Sequence, residues 1–188
     1  MCGLSCNKLL QGHSVITRSH RNPKKKHGVG LEHPLCDSIQ LVMLILFFVV
    51  WGIDSASYFL FRVSTVIAES VSLPFLLAPA VLSLCSGLYL LLKSHEKVLG
   101  ETVGQPRLIK TGVYSWVRHP MYLGTLMFCL TFVFTVFSIL SLGVWIVFFA
   151  TYDRMATFEE RDLIRILGEE YIAYQRQVPK WYPMPLKT

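Results

Sequence analysis

The apolar residues of this chain fall into blocks, and its basic residues avoid one side of them. Apolar stretches run from about Ser38 to Phe61, from about Val71 to Leu92, and from Pro120 to near Phe158. The first two match the ~20 residues that cross a hydrocarbon core of ~30 Å. The third covers almost 40 residues, too many for one crossing, and "SILSLG" at 138–143 predicts a turn that folds it into a hairpin of two spans. Six Lys and Arg precede the first block, Arg62 stands alone after it, five lie between the second and third, and six lie at the end of the fourth, from Arg154, or after it. None lies between the third and fourth, so 17 of the 18 share one side. By the positive-inside rule this predicts an all-α integral membrane protein of about four transmembrane helices, multi-pass, with both termini cytoplasmic.

The rest of the composition agrees. Hydrophobic residues make up 53% of the 188, too many for an ordinary soluble domain. A net charge of +6 raises nucleic acid as a partner. The basic residues instead follow the topology, and no nucleic-acid-binding motif occurs, so a membrane is expected and nucleic acid is not. The five cysteines include no CxxC pair and no Cys/His cluster at zinc spacing, so no metal is expected. Cys85 and Cys129 read as small apolar fillers, while Cys2 and Cys6 are either reduced thiols or lipidation sites ahead of a membrane anchor. Residues 1–37, centred on "RNPKKKHGVG", read as a flexible basic tail without the apolar core of a cleavable signal peptide.

Two polar clusters adjoin the blocks. The first is "TGVYSWVRHPMYLG", residues 111–124. Pro120 suits the first position of a helix and disfavours helical backbone at the residue before it, which predicts His119 at the N-cap of the third span. Free N–H groups, the positive end of the helix dipole and the Arg118 charge would together attract a carboxylate or phosphate. Tyr114 and Tyr122 can stack on a ring or donate a hydrogen bond. The same residue types also serve as plain interfacial anchors.

The second cluster is "TFEERDLIRILGEEYIAY". On a helix continuing the fourth span, neither Glu159 nor Glu160 has a basic neighbour at spacings of three or four. Glu160 shares a face with Leu163, Ile164 and Leu167, so a buried carboxylate there needs a cation from elsewhere: Arg118, His119 or a cationic ligand. Solvation at the membrane surface is the plainer alternative. Gly168 is expected to stop the helix and a short amphipathic piece to follow. Asp54, an acid within the first block, reads as a residue near the far interface rather than a pathway group.

These two motifs in order, "GVYSWVRHPMYLG" and then "EERDLIRILGEEYIAYQRQVP", resemble the isoprenylcysteine carboxyl methyltransferase family of membrane methyltransferases, related to phospholipid N-methyltransferases and small-thiol methyltransferases. The likeness covers about half the chain, roughly His95 to Pro183. It implies S-adenosyl-L-methionine as cofactor, held between the last two spans and the cytoplasmic segments. It implies cofactor contacts from Leu108, Ile109, Tyr114, His119, Pro120, Met121, Tyr122 and Glu159. It divides the chain into the tail (1–37), two transmembrane helices (38–92) and a catalytic region (93–188). The family's carboxyl methyltransferases have a histidine where Pro106 stands and a substrate-contacting arginine where an ungapped alignment places Met155.

The expected chemistry is methyl transfer to a lipidated or lipid-like acceptor from the bilayer, foremost a prenylcysteine-like carboxylate. Arg118 or Arg154 would orient that carboxylate, with Glu160 beside the reacting groups. A phospholipid amine or a small thiol is the alternative acceptor, and an amine would need Glu159, Glu160 or His119 to take a proton. A non-catalytic membrane subunit is the rival from another class, since it would keep the spans without needing the two acids. A reductase would need more spans, and a transporter more polar residues within them.

Overall fold

A computed structural model describes residues 34–61, 72–101 and 108–182. The basic tail with Cys2 and Cys6, the segment 62–71 with Arg62, the segment 102–107 with Pro106 and Arg107, and the closing residues from Pro183 lie outside the described residues. Five helices are present among those described: α1 (Pro34–Phe61), α2 (Leu73–Glu101), α3 (Pro120–Val136), α4 (Ile139–Leu167) and α5 (Glu169–Gln177), with a 3-10 turn at Gly112–Ser115. By length and composition α1, α2 and α4 can cross a membrane. The 17 residues of α3 rise about 26 Å, at the short end of what spans a bilayer.

The helices outrun the apolar blocks at one end of the bundle. α2 continues past Leu92 to Glu101 because "KSHEKVLGE" carries good helix formers in Lys93, Glu96, Lys97 and Leu99, with a Lys93–Glu96 ion pair at 2.7 Å. α4 has 29 residues, about 43 Å of helix against a core of ~30 Å. The crossing part therefore ends near Phe158, and the turns bearing Glu159 and Glu160 project beyond the bilayer. The start of α3 and the ends of α2 and α4 share this basic end.

The hairpin turn is tighter than the sequence suggests. It consists of Phe137, held in the left-handed region at φ 47°, and Ser138, whose hydroxyl accepts from the Ser141 N–H at 3.1 Å and caps α4. The rest of "SILSLG" is helical. A capping serine starts α4 five residues before Gly143, so that glycine sits inside the helix instead of forming the turn. Ser138 also donates to Asp54 at 2.6 Å, and Asp54 is buried. The acid of the first span thus ties α1 to the far-end turn.

α2 and α3 meet where neither has a side chain. A Cβ on Gly87 would lie 2.8 Å from the Phe128 nitrogen, and one on Gly124 would lie 2.9 Å from Leu91 and 3.1 Å from the Gly87 carbonyl oxygen. In lipid, where apolar surface gains nothing by leaving apolar solvent, such close backbone approach supplies the packing that holds helices together. α1 and α4 close over α3 through Phe47, Leu126, Cys129, Val133, Phe148, Tyr152 and Met155. Two indoles cross the interfaces, Trp51 donating to the Phe132 carbonyl at 2.9 Å and Trp145 to that of Leu126 at 2.8 Å. Cys129 is a buried filler, whereas Cys85 is exposed on α2. The outward faces of α1, α2 and α4 carry Leu41, Val42, Leu82 and Val147, as lipid contact requires.

Gly87→Val and Gly124→Val are expected to force α2 and α3 apart and to lower stability by about 1–3 kcal/mol, the usual range for overpacking. Gly143→Ala meets nothing within 4 Å and should be neutral or slightly stabilising. Thermal unfolding in detergent distinguishes the two groups, and equal behaviour would remove the glycine crossing as the basis of this interface.

Candidate functional site

Pro120 opens α3 and His119 is its N-cap at φ −121°, ψ 62°. No side chain caps this end, so the first N–H groups of α3 are not closed by their own N-cap residue. The His119 ring is buried and stacks on Tyr122 at 5.7 Å with an interplanar angle of 8°. Tyr122 in turn leans on Tyr152 at 4.8 Å. One turn of α3 therefore fixes the imidazole from one side.

Glu160 fixes it from the other. Its Oε1 receives Arg118 Nε at 2.8 Å and His119 Nε2 at 3.0 Å, and its Oε2 receives Gln175 Nε2 at 3.1 Å. A carboxylate only accepts here, so His119 Nε2 carries the donated hydrogen. The partner the acid needs comes from the start of α3, as its burial requires. Burial opposes the charged form of Glu160, but the hydrogen bonds from His119 and Arg118, with their charges, outweigh it and hold the carboxyl below its ordinary pKa. Glu159, the neighbouring acid, keeps a third of its side chain exposed and lies 3.6 Å from His119 Nδ1. Two consecutive carboxylates thus face the two nitrogens of one imidazole.

Arg118 does more than neutralise. Its Nη1 donates to the carbonyls of Gln175 (3.1 Å) and Val178 (2.7 Å), and its backbone N–H donates to Pro179 (3.0 Å). These bonds bring the C-terminal strap back to the start of α3. Gly168 makes the return possible: at φ 57°, ψ −130° it adopts backbone that only glycine takes readily, and α5 begins at once. α5 buries Tyr171, Tyr174 and Val178 against Leu163 and Leu108. Burial pushes both phenols up, so Tyr174 is a neutral donor and bonds the Tyr114 carbonyl at 2.6 Å. Further on, Lys180 Nζ binds Asp153 Oδ1 (2.6 Å), the Asp153 carbonyl (2.9 Å) and Thr157 Oγ1 (2.8 Å), and Trp181 Nε1 donates to Asp153 Oδ1 (2.8 Å).

Among the residues expected at the site, Arg118, His119, Glu159 and Glu160 converge, with Pro120 and Tyr122 directly behind His119. Tyr114 joins through its backbone and Leu108 through packing on α5, while Ile109 and Tyr114 are half-buried and Met121 is exposed. Arg154 is exposed and lies about 120° around α4 from Glu160. Of the two uses expected for Arg118, attracting an anionic ligand or partnering Glu160, its guanidinium makes the second, and it also holds two carbonyls of the strap. Met155, where the resemblance implies an arginine, is buried in the apolar core. Asp153, Gln175, Lys180 and Trp181 were not anticipated. Asp153 had a signal, an acid inside an apolar stretch like Asp54; its partners lie 27 and 28 residues away and carry none.

Comparison with known proteins places these motifs. The family model described as phospholipid methyltransferase matches residues 75–170, 96 of the 188. The chain is similar to the protein-S-isoprenylcysteine O-methyltransferase of Saccharomyces cerevisiae, 39% identical over 72 residues, which is 38% of this chain and 30% of that protein. It is similar to the methanethiol S-methyltransferase of Crocosphaera subtropica, 38% identical over 71 residues, 37% of this chain and 27% of that protein. It is also similar to the protein-S-isoprenylcysteine O-methyltransferase of Mus musculus, 37% identical over 84 residues, 40% and 27% of the two chains. The chain therefore spans less than a third of the length of each of these relatives.

Arg118→Lys keeps the charge but loses the fork that reaches Glu160 and the strap together. This variant is expected to release residues 169–182 while the membrane bundle stays folded. Limited trypsinolysis should then cut after Arg176 and Lys180 at least about tenfold faster than in the wild type, since opening by ~1.4 kcal/mol is a factor of ten. Unchanged cleavage would mean that the strap holds without the guanidinium.

Proposed function

The chain belongs to the phospholipid methyltransferase family, and on that premise we propose that it transfers a methyl group from S-adenosyl-L-methionine to a lipidated or lipid-like acceptor drawn from the bilayer, foremost a prenylcysteine-like carboxylate. The observation that carries this reading is the convergence of two acids from the end of α4 on His119 at the uncapped start of α3.

The residues present fit the cofactor on the chemistry of their donors. The part-exposed carboxylate of Glu159 suits its cationic groups, and the N–H groups opening α3 suit its carboxylate. The flat face formed by His119 and Tyr122 suits a planar ring. Leu108, Ile109, Tyr114, Pro120 and Met121 complete the contact set that the family resemblance implies. The bound cofactor supplies an electrophilic methyl group on a sulfonium.

The chain's own residues then position and exclude. Glu160 and Arg118 hold His119 in one orientation, and Arg118 with Tyr174 keeps the strap over the start of α3. A carboxylate acceptor is already ionised at neutral pH, so methyl transfer to it would need no residue of the chain to remove a proton. Rate then comes from alignment and from keeping water out. Arg118 acts here as a positioning residue, and Arg154, at the bilayer edge, is the basic group left to meet an acceptor's charge. The 17-to-one distribution of basic residues supports a cytoplasmic site with both termini on that side.

The test is methyl transfer in membranes holding the full chain, with methyl-labelled cofactor and a farnesylated cysteine analogue, phosphatidylethanolamine or a small thiol as acceptor. Label released as methanol by mild base is the expected outcome. Base-stable label in lipid or thiol would keep the methyltransferase and change its acceptor. Glu159→Gln should weaken cofactor binding about 10- to 100-fold, the value of a hydrogen bond to a charged group, and His119→Ala should abolish turnover. No labelling of any acceptor, with cofactor bound equally by wild type and variants, would overturn the reading.

A further inference from the structure

We propose that Trp181, on the strap after α5, is the residue that reads the hydrocarbon chain of the acceptor, forming with Phe149 and Trp145 an aromatic wall that leads from the bilayer to His119. The proposal rests on the methyltransferase reading of the same site and adds the element that selects among lipid-like acceptors.

Depth is the first argument. Phe149 lies ten residues into α4, about 15 Å from its start, and Asp153 about 21 Å. The Trp181 ring sits 5.4 Å from that of Phe149, and its Nε1 bonds Asp153. The strap therefore dips below the level where α4 leaves the hydrocarbon, although α5 lies outside it. A polypeptide segment that turns back into lipid needs a reason and a means. The means is Lys180, whose ammonium meets Asp153 and Thr157.

Continuity is the second. Trp145 stacks on Phe149 at 6.0 Å and 19°, Phe149 meets Trp181, and Trp181 meets His119 at 6.1 Å. Trp145, Phe149 and Trp181 are each only half-buried, so one edge of the row faces lipid while its end touches the imidazole held by the two acids. The Asp153 bond fixes the indole, making it a defined surface rather than a loose cover.

Because bilayer and wall are similarly apolar, transfer of a chain from one to the other gains little hydrophobic free energy. Selection must come from shape, and the effect should appear in KM at about tenfold, not in turnover.

The probe is an S-alkyl-N-acetylcysteine carrying a diazirine on its alkyl chain, photolysed with the full chain in phosphatidylcholine nanodiscs. Expected labelling falls on the peptide holding Trp181 and is competed by excess unreactive compound. Labelling confined to α1 and α2, or indifferent to competitor, would overturn the proposal. In parallel, Trp181→Ala should raise KM for a dodecyl acceptor about tenfold and leave KM for a butyl acceptor and for S-adenosyl-L-methionine within about twofold, with Trp181→Phe, which keeps a ring but loses the Asp153 bond, falling between wild type and Trp181→Ala. An equal rise for all three would assign Trp181 a general structural role and overturn it likewise. Competed labelling without methyl transfer would support the wall and remove the methyltransferase reading; methyl transfer without competed labelling would do the reverse.

Discussion

Glu160 is a buried carboxylate on a helix that offers it no cation at spacings of three or four. Left alone it would lose its charge or unfold its surroundings, since a bare ion in a low-dielectric site costs several kcal/mol. Arg118 and His119 solve this from 42 and 41 residues away, and Gln175 completes the shell. The consequences spread outward. Meeting the carboxylate fixes the start of α3 against the end of α4. The same guanidinium, reaching the carbonyls of Gln175 and Val178, fixes the strap against both. Removing one partner would leave the other charges uncompensated, so the cluster is cooperative.

The bilayer imposes a second constraint, on how polar groups are handled away from water. Several inside the bundle are met by a partner in another element: Asp54 by Ser138, the Trp51 and Trp145 indoles by carbonyls of α3, Asp153 by Lys180 and Trp181. These bonds share a geometry in which one side chain joins two helices or a helix and the strap. They set orientation and register. Association itself rests on packing, which is tightest where Gly87 and Gly124 bring two backbones together. The polar ties and the glycine crossing do different work, and α3, the shortest span, takes part in both.

Site and scaffold are therefore hard to separate. His119 is at once the N-cap of α3, a stacking partner of Tyr122 and Trp181, and the meeting point of two acids. α3 gives it direction, α4 gives it charge, and the strap gives it cover on the lipid side. Arg118, His119 and Glu160 are each held from at least two elements.

The sequence by itself determined the apolar helices, the basic end that α2, α3 and α4 share, His119 as a helix start, the stop at Gly168, and the need of Glu160 for a distant cation. Each of these is written in local chemistry: apolar length, the distribution of charge, the ring of Pro120, the missing Cβ of a glycine, the absence of a base at helical spacing. Only the tertiary structure decided that Arg118 would be that cation and would also hold the strap. The carbonyls of Gln175, Val178 and Pro179 that it binds belong to the backbone, and backbone carries no residue signature. The structure likewise decided that Phe137 and Ser138 alone form the turn, and that Lys180 crosses 27 residues to reach Asp153. Those pairings depend on where helices come to lie side by side, which is set by the fit of whole surfaces and not by any spacing along the chain.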